Sequence, residues 1–242
     1  PGDIQQKIPS LLQDGCFSFL VSCGGDGTHA ETFSGILNSG EDIPVLPVPM
    51  GTANILCHYL QIPFEISEMD DLIENPRFQR LNLGRTEQRL FCLCASTGFD
   101  GSLVRIGESK LKKLIGKGSY GIGFLHTLAR FPVFSLTLSD PAGSWRMDYP
   151  HAVNLIATLL PYYGVPRVIF PSQSPLQYHV FRSPSRFDYL QTWGHLLVNR
   201  GDRLPCSSRN QQKASDRVLI ETDPVQWVQL DGDVRMKTPF EI

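Results

Sequence analysis

Residues 17–28, FSFLVSCGGDGT, contain the pattern that decides the fold of this protein. The continuous apolar run 17–22 predicts a buried strand, the glycines that follow predict a tight turn, and residues 28–37 predict a helix. The arrangement repeats with a strand at 45–48, a glycine turn and a helix at 53–60, and residues 3–13 also predict a helix. Buried strands alternating with helices are typical of a parallel α/β layer.

The pattern changes near residue 81, where short strand-like runs are separated by Gly, Pro and Ser. These runs are 89–96, 134–138, 152–158, 177–181, 217–221 and 225–230, with helical patterns at 109–130 and 187–197. The sequence therefore predicts an α/β domain over 1–80, to which the C-terminal residues 235–242 could belong. A second, mostly antiparallel β domain is predicted over 81–234.

The composition is that of an ordinary globular protein, with 242 residues, 41% hydrophobic residues and a formal net charge of −2. It excludes disordered, collagen-like and coiled-coil proteins and does not indicate a basic nucleic-acid binder. No apolar run is long enough for a membrane helix, and no secretion signal is found. Six cysteines without C-x2-C spacing favour free thiols over a zinc site, so a cytoplasmic location is expected. Because the chain begins at Pro1, upstream sequence could be missing.

The GGDGT loop has the residue types that bind phosphate. Gly24, Gly25 and Gly27 lack Cβ atoms, so their backbone N–H groups can approach phosphate oxygens at the positive end of the following helix. Thr28 and Glu31 have the spacing of a capping box that would fix the helix start. The alternative is a purely structural turn.

Two further segments could complete a site with this loop. Residues 49–54, PMGTAN, follow the second strand, and turns at the same ends of adjacent parallel strands form one crevice. Residues 229–233, QLDGD, place two carboxylates around a glycine, which indicates either a hairpin turn or a proton-accepting or metal-binding carboxylate.

These segments, in this order, resemble the diacylglycerol kinase catalytic superfamily, which includes bacterial lipid kinases and sphingosine kinases. The matching pieces are GGDGT with Glu31 (24–31), PVLPVPMGTAN (44–54), RLFCLCASTGFD (89–100), ESKLKKLIGKGSYG (108–121) and VQLDGD (228–233). The resemblance implies an α/β nucleotide domain, a C-terminal antiparallel β-sandwich and an active site between them. The family's upstream strand and N-P-x-(S/A)-G loop are not found in this chain.

The resemblance implies an ATP- and Mg2+-dependent lipid kinase, and it assigns roles to individual residues. Asp233 would be the general base, Asp26 would contact Mg2+ or phosphate, Asp231 would be a second metal ligand, and Asp100 would contact the lipid head group. The residues implied in ATP binding are Gly24, Gly25, Gly27, Thr28, Glu31, Gly51, Thr52, Asn54, Lys112 and Lys113, with Lys117 as a further candidate. The basic positions could equally form a solvated helix face, and Glu31 could be a helix cap.

Several positions depart from the family pattern. Asp233 replaces the usual Glu, Ile55 and Asn82 stand where Asp is common, and residues 172–174 read SQS where an acidic Asp-Gly turn is expected. These changes put a structural Mg2+ site in question. The alternatives are therefore a degenerate member that binds nucleotide or lipid without turnover, and a kinase of a soluble substrate, similar to NAD kinases.

A lipid substrate implies contact with a membrane surface. Peripheral membrane association is expected through Arg105 and four lysines, Lys110, Lys112, Lys113 and Lys117. The sequence gives no indication of the oligomeric state or of which lipid is phosphorylated.

Overall fold

The computed structural model describes residues 2–107, 118–164, 168–169, 176–183, 185–197, 207–210 and 217–242. The N-terminal part alternates helices and strands, as predicted. Its elements are α1 (Asp3–Asp14), β1 (Leu20–Gly24), α2 (Asp26–Ser39), β2 (Val45–Pro49), α3 (Ile55–Tyr59), a 3-10 turn (Ile66–Glu68) and α4 (Asp70–Glu74).

Strands β1 and β2 form a parallel pair, with register from Leu20↔Val45 to Gly24↔Pro49. Helices α1 and α2 cover this pair through a small core of Ile8, Leu12 and Ile36. Helix α2 ends at Ser39, and Gly40 is its C-cap residue. Gly40 has a left-handed φ of 77°, and its N–H donates to Leu37 O. Glycine in this conformation is usual at helix C-termini. Both strands therefore end, with their glycine turns, at the same edge of the layer.

The remainder of the chain is mainly antiparallel sheet. Its strands are β3 (Gly84–Arg85), β4 (Leu90–Phe91), β5 (Cys94–Gly98), β6 (Phe134–Ser139), β7 (Arg146–Thr158), β8 (Tyr162–Tyr163), β9 (Val168–Ile169), β10 (Gln177–Arg182), β11 (Ser207–Asn210), β12 (Leu219–Asp223), β13 (Trp227–Leu230), β14 (Asp233–Lys237) and β15 (Phe240–Glu241). Three helices interrupt them: α5 (Phe99–Gly107), α6 (Gly118–Arg130) and α7 (Arg186–Leu197).

Within the described residues, nine of these strands form one sheet in the order β14-β13-β5-β7-β6-β12-β15, and β10 with β11 branches from β7. The 13-residue β7 is the branch point, because its first half pairs with β6 and its second half pairs with both β5 and β10. The α/β plus β class agrees with this architecture. The sandwich arrangement and the domain boundaries stay predictions.

A shared core joins the two parts of the molecule. Ala30, Ile55 and Leu56 pack in the same buried cluster as Phe99 and Tyr189. A second core lies on the antiparallel sheet, around Leu136, Ile220 and Leu230. Helices α2 and α3, which follow the two glycine turns, are thus packed directly against the β part.

The helices in the described ranges include none with the length and apolar character needed to cross a membrane. The predicted strand 89–96 is wrong as one element, because it is divided into β4 and β5 around Cys92 and Leu93. The helix predicted over 109–130 is described from Gly118 onward, and its earlier residues lie outside the described ranges.

Candidate functional site

The two glycine turns are in direct contact. A Cβ on Gly51 would lie 2.5 Å from Gly25 Cα, and one on Gly25 would lie 3.1 Å from Gly51 Cα. Met50 N–H also donates to Gly24 O at 2.8 Å. Packing between the turns therefore requires Gly51 and favours Gly25, independently of any ligand.

Helix α2 begins earlier than the sequence pattern predicted. It starts at Asp26, Gly25 is its N-cap residue, and no side chain caps it. The N–H groups of Thr28 and His29 donate to Gly25 O at 2.9 and 3.1 Å. The predicted capping box of Thr28 and Glu31 is wrong, because Thr28 lies inside the helix. Its side chain packs on Gly24, where a Cβ would lie 2.4 Å from Thr28 Oγ1.

Gly27 differs from the other glycines of these turns. It lies in the first turn of α2, and a Cβ added to it would meet nothing within 4 Å. Glycine inside a helix costs roughly 0.5–1 kcal/mol relative to alanine. Packing among the described residues gives no reason for glycine here, so Gly27 presents open backbone at the helix N-terminus.

The Asp26 side chain links the two turns. Its carboxylate is buried and accepts the backbone N–H groups of Ile55 (3.1 Å) and Leu56 (3.0 Å) at the start of α3. Those are two of the N–H groups that a helix leaves without internal partners. Asp26 was predicted to contact Mg2+ or phosphate, and its observed partners are instead backbone groups of the second turn.

The second turn is shaped by Asn54. Its φ of 46° is left-handed, its Oδ1 accepts Gly51 N–H at 2.8 Å, and its Nδ2 donates to Gly51 O at 3.1 Å. Asparagine tolerates this backbone conformation better than most residues. Gly51 and Thr52 are exposed at the tip of the turn. Thus Asn54 has a structural role, and Thr52 is available to a ligand.

His29 is the centre of a buried group of polar side chains near the glycine turns. The sequence analysis did not identify this group. The His29 side chain is fully buried, with Nδ1 2.9 Å from Ser22 Oγ and Nε2 3.7 Å from Cys57 Sγ. Burial lowers the pKa of His29, although the charge of Asp26 opposes this. Burial also raises the pKa of Cys57 to about 12. The spacing of Asp26 and His29 on one helix face was the available signal.

Glu31 lies in α2, one turn beyond Gly27, and lines a pocket of about 220 Å³. The pocket is lined by Gly2, Gln5, Ala30, Glu31, Ser34, Gln88, Arg89 and Leu90. Glu31 Oε1 accepts the Gly2 backbone N–H at 2.8 Å. Glu31 therefore faces a boundary between the helices and the β4 segment rather than capping α2.

Asp231 occupies a β-hairpin turn between β13 and β14, where its φ is 50° and that of Gly232 is 89°. Left-handed conformations at both central residues are typical of a type I′ turn, which favours Asp-Gly. The Asp231 carboxylate accepts the N–H groups of Cys92, Leu93 and Cys94 at 2.8, 2.8 and 3.0 Å. Burial raises its pKa, and these three hydrogen bonds oppose the rise. The predicted metal ligand is thus a backbone anchor in this structure.

Asp233 is the first residue of β14, and its side chain forms an ion pair with Arg89. Its side chain is 39% exposed, and Oδ2 lies 3.5 Å from Arg89 Nη1. Arg89 also lines the pocket that contains Glu31. The structure thus connects Asp233, through Arg89, to helix α2. Arg89 was missed by sequence reasoning, although a charged residue opening an apolar run was a usable signal.

Asp100 is the second residue of α5, and its side chain is buried. Tyr163 Oη donates to its Oδ2, and its own N–H donates to Asn154 Oδ1 at 3.2 Å. Burial raises the pKa of Asp100, while the hydrogen bond from Tyr163 opposes the rise. Contact of Asp100 with a lipid head group stays a prediction.

Lys110, Lys112, Lys113 and Lys117 lie outside the described residues. Arg105 is described, and its guanidinium lies 4.2 Å from the centre of the Trp227 ring. In the parts of the chain that the structure describes, no group of three or more His, Cys, Asp or Glu side chains could hold a metal ion.

Comparison with known proteins gives a family match that covers both glycine turns. Residues 2–86 match the model of the diacylglycerol kinase catalytic domain. The predicted resemblance to the diacylglycerol kinase catalytic-domain superfamily is confirmed. A probable lipid kinase YegS-like of Pseudomonas putida is 28% identical over 147 residues, which are 61% of this chain and 49% of the relative. A diacylglycerol kinase of Staphylococcus saprophyticus is 30% identical over 121 residues, 50% of this chain and 39% of the relative.

The fold is similar to that of solved structures described as diacylglycerol kinases. A diacylglycerol kinase of Bacillus anthracis superposes with a TM-score of 0.73 and 20% identity, covering 99% of this chain and 78% of the other. Matches to the curated relatives span about half the length of those proteins, 49% for the Pseudomonas relative.

Proposed function

We propose that this protein transfers the γ-phosphoryl group of ATP to a hydroxyl group of a lipid. The names of its superfamily relatives, probable lipid kinase and diacylglycerol kinase, support this reaction class. Phosphoryl transfer depends mainly on positioning and charge stabilisation, so the proposal rests on how the chain could hold phosphate and activate a hydroxyl.

The single observation that carries the proposal is the open backbone of Gly27. Gly25 and Gly51 are explained by the contact between the turns, whereas nothing in the described packing explains glycine at position 27. A phosphate at the N-terminus of α2 would explain it, since N–H groups and the helix dipole attract anions there. Exposed Thr52, on the neighbouring turn, would add a hydroxyl donor.

The proposed general base is Asp233, which would accept the proton of the attacking hydroxyl. Helix α2 carries Gly27 in its first turn and Glu31 about 6 Å farther along, and Glu31 shares its pocket with Arg89, the partner of Asp233. This connection supports a reaction centre between α2 and the β13–β14 hairpin.

Mg2+ supplies charge stabilisation in phosphoryl transfer when it is bound. Asp26 and Asp231, the two residues predicted to hold it, bind backbone groups as they are placed. Both oxygens of Asp26 and both oxygens of Asp231 accept backbone N–H groups. Metal coordination by these carboxylates stays a prediction, and we assign no step to it.

A second candidate function is nucleotide or lipid binding without turnover. The observation that favours it is the use of Asp26 and Asp231 as backbone anchors, because their carboxylates already bind backbone N–H groups. Nucleotide binding without phosphorylated product would indicate this alternative.

The test is transfer from radiolabelled ATP to a panel of diacylglycerol, monoacylglycerol, sphingosine, ceramide and phosphatidylglycerol, with a soluble alcohol as the non-lipid arm. We expect a labelled lipid product and a rate that depends on lipid.

Gly27→Val should abolish transfer because its side chain would occupy the phosphate position. Gly121→Val is the matched control, since Gly121 is also a helical glycine with open space around it. Equal losses in both variants would contradict the proposal.

Membrane association follows from the same proposal, since a lipid substrate lies in a bilayer. We expect anionic vesicles to bind the protein more tightly than neutral vesicles, and salt to weaken that binding. Cosedimentation with vesicles at low and high salt measures this, and equal binding to both vesicle types would contradict it.

A further inference from the structure

The most informative polar contact outside the glycine turns is the ion pair between Arg89 and Asp233. It joins the short turn after β3 to the first residue of β14, 144 positions later in the sequence. The Arg89 side chain is only 19% exposed, so water screens the pair less than it screens an open surface pair. The contact therefore constrains the direction of the Asp233 side chain.

The backbone of Arg89 is fixed by Thr86. Thr86 is buried, its Oγ1 accepts the N–H groups of Gln88 (3.3 Å) and Arg89 (3.2 Å), and its hydroxyl donates to Arg89 O at 3.0 Å. Thr86 N–H donates to the same carbonyl at 2.9 Å. Arg89 Nε also bonds to Leu90 O at 3.3 Å. The guanidinium thus extends from a rigid turn in a restricted direction.

The Arg89 guanidinium interacts electrostatically with both aspartates of the β13–β14 hairpin. Its positive charge acts on Asp231 as well as on Asp233, since it lowers the pKa of Asp231 against the effect of burial. Asp231 is held by three backbone N–H groups, so its carboxylate cannot follow the guanidinium. Asp233 lies on the far side of the same hairpin turn, where its Oδ2 contacts the guanidinium.

We propose that Arg89 is a positioning residue that directs the Asp233 carboxylate toward the pocket beside α2. The inference rests on the proposed function, because Asp233 is the general base there. Arg89 touches neither reacting atom in this proposal. It acts through Asp233, in the same way that the orienting member of a catalytic triad acts through its base.

The test combines Arg89→Gln and Arg89→Lys with Asp233→Asn in a double-mutant cycle. Arg89→Gln should lower kcat by about 10- to 100-fold with an unchanged KM for ATP, because misplacing a catalytic group by about 1 Å has effects of this size. Arg89→Lys keeps the charge and should recover part of the loss. In the Asp233→Asn background, Arg89→Gln should have no further effect on kcat. Arg85→Gln, on the exposed neighbouring strand, is the matched control.

A second readout does not require activity. Titration of the Asp233 carboxyl carbon by NMR, assigned with Asp233→Asn, should show its pKa rising in Arg89→Gln, where the neighbouring positive charge is lost, and no such rise in Arg85→Gln. An unchanged titration, or the same fall in kcat in both backgrounds, would overturn the positioning role. Full activity of Asp233→Asn together with the expected titration would instead contradict Asp233 as the base and leave the Arg89 contact established.

Discussion

Two of the four Asp-Gly pairs in this chain belong to the candidate site, Asp26-Gly27 at the start of α2 and Asp231-Gly232 in the β13–β14 hairpin, and their aspartates behave alike. Each carboxylate is buried among backbone N–H groups of a distant segment, two for Asp26 and three for Asp231. The glycines differ. Gly232 has a left-handed φ of 89° that its turn requires, whereas Gly27 is helical and has open space around it.

The sequence motifs around both pairs are typical of catalytic sites, yet only some of their residues are candidates for function. The others have structural roles. Acidic residues next to glycine are common in metal and phosphate sites, yet here two of them hold loops together. The candidate functional positions are Gly27, where a phosphate is proposed, and Asp233, which is two residues beyond the hairpin anchor and forms an ion pair with Arg89. The following predictions test that division.

Asp233→Asn is expected to have the largest effect. Loss of general-base assistance should lower kcat by about 10² to 10⁴ with little change in the KM for ATP, because the base acts only in the transition state. Steady-state kinetics with the preferred lipid measure this. Asp233→Glu should retain activity, since it keeps a carboxylate at the position. Equal losses in the Asn and Glu variants would indicate that the side chain has a packing role instead.

Asp231→Ala should destabilise the fold more than Asp26→Ala. Removing Asp231 leaves three buried N–H groups without acceptors and should cost about 3–5 kcal/mol, while removing Asp26 leaves two and should cost about 2–4 kcal/mol. Urea denaturation followed by circular dichroism gives both values. Asp148→Ala, at an exposed position of β7, is the control. Little loss for Asp231→Ala would contradict its role as an anchor.

Gly51→Ala and Gly27→Ala should have opposite effects on stability. The added methyl group at Gly51 meets the backbone of Gly25, so we expect a loss of about 1–3 kcal/mol. At Gly27 it meets nothing and improves helix propensity, so a gain of about 0.5–1 kcal/mol is expected. Calorimetric ATP titrations of the same variants should nevertheless show weaker binding for Gly27→Ala. Unchanged ATP affinity in that variant would remove the main support for the phosphate position.

The smallest expected effect is a pH dependence of stability caused by His29. Its pKa is lowered in the folded state, so the unfolded state binds more protons below about pH 6.5. The stability that neutral His29 provides is complete above that pH and is lost as the pH falls toward the folded-state pKa, at up to about 1.4 kcal/mol per pH unit. Denaturation at pH 5 to 7 should show this slope in the wild type and a smaller slope in His29→Gln. His126→Gln, which replaces a histidine at an exposed site, is the control variant.

The periodic elements were predictable because their burial follows local patterns. Helix α1 and strand β2 lie within about one residue of their predicted bounds, and contact between the two glycine turns follows from the parallel order of β1 and β2. The Asp-Gly hairpin was one of two interpretations of residues 231–233, and its turn geometry is confirmed.

The features that were not predictable depend on contacts between distant segments. The run 89–96 has the composition of one strand, but Asp231 takes the N–H groups of residues 92–94 and interrupts it. Strand β14 was missed, although the alternation of polar and apolar residues in 233–237, DVRMK, was a usable signal. The partners of Asp26 and of Arg89 lie 29 and 144 positions away, so no local pattern indicates them.

The hydrogen bonds from Ile55 and Leu56 to Asp26 have a consequence for the kinetics of ligand entry. Separating the two glycine turns would remove a buried charge from its donors, which is costly in free energy. The turns should therefore keep one arrangement whether a nucleotide is bound or free. Association of the proposed nucleotide should then proceed as a single concentration-dependent phase, without a slow rearrangement of the turns, and little conformational entropy should be lost on binding.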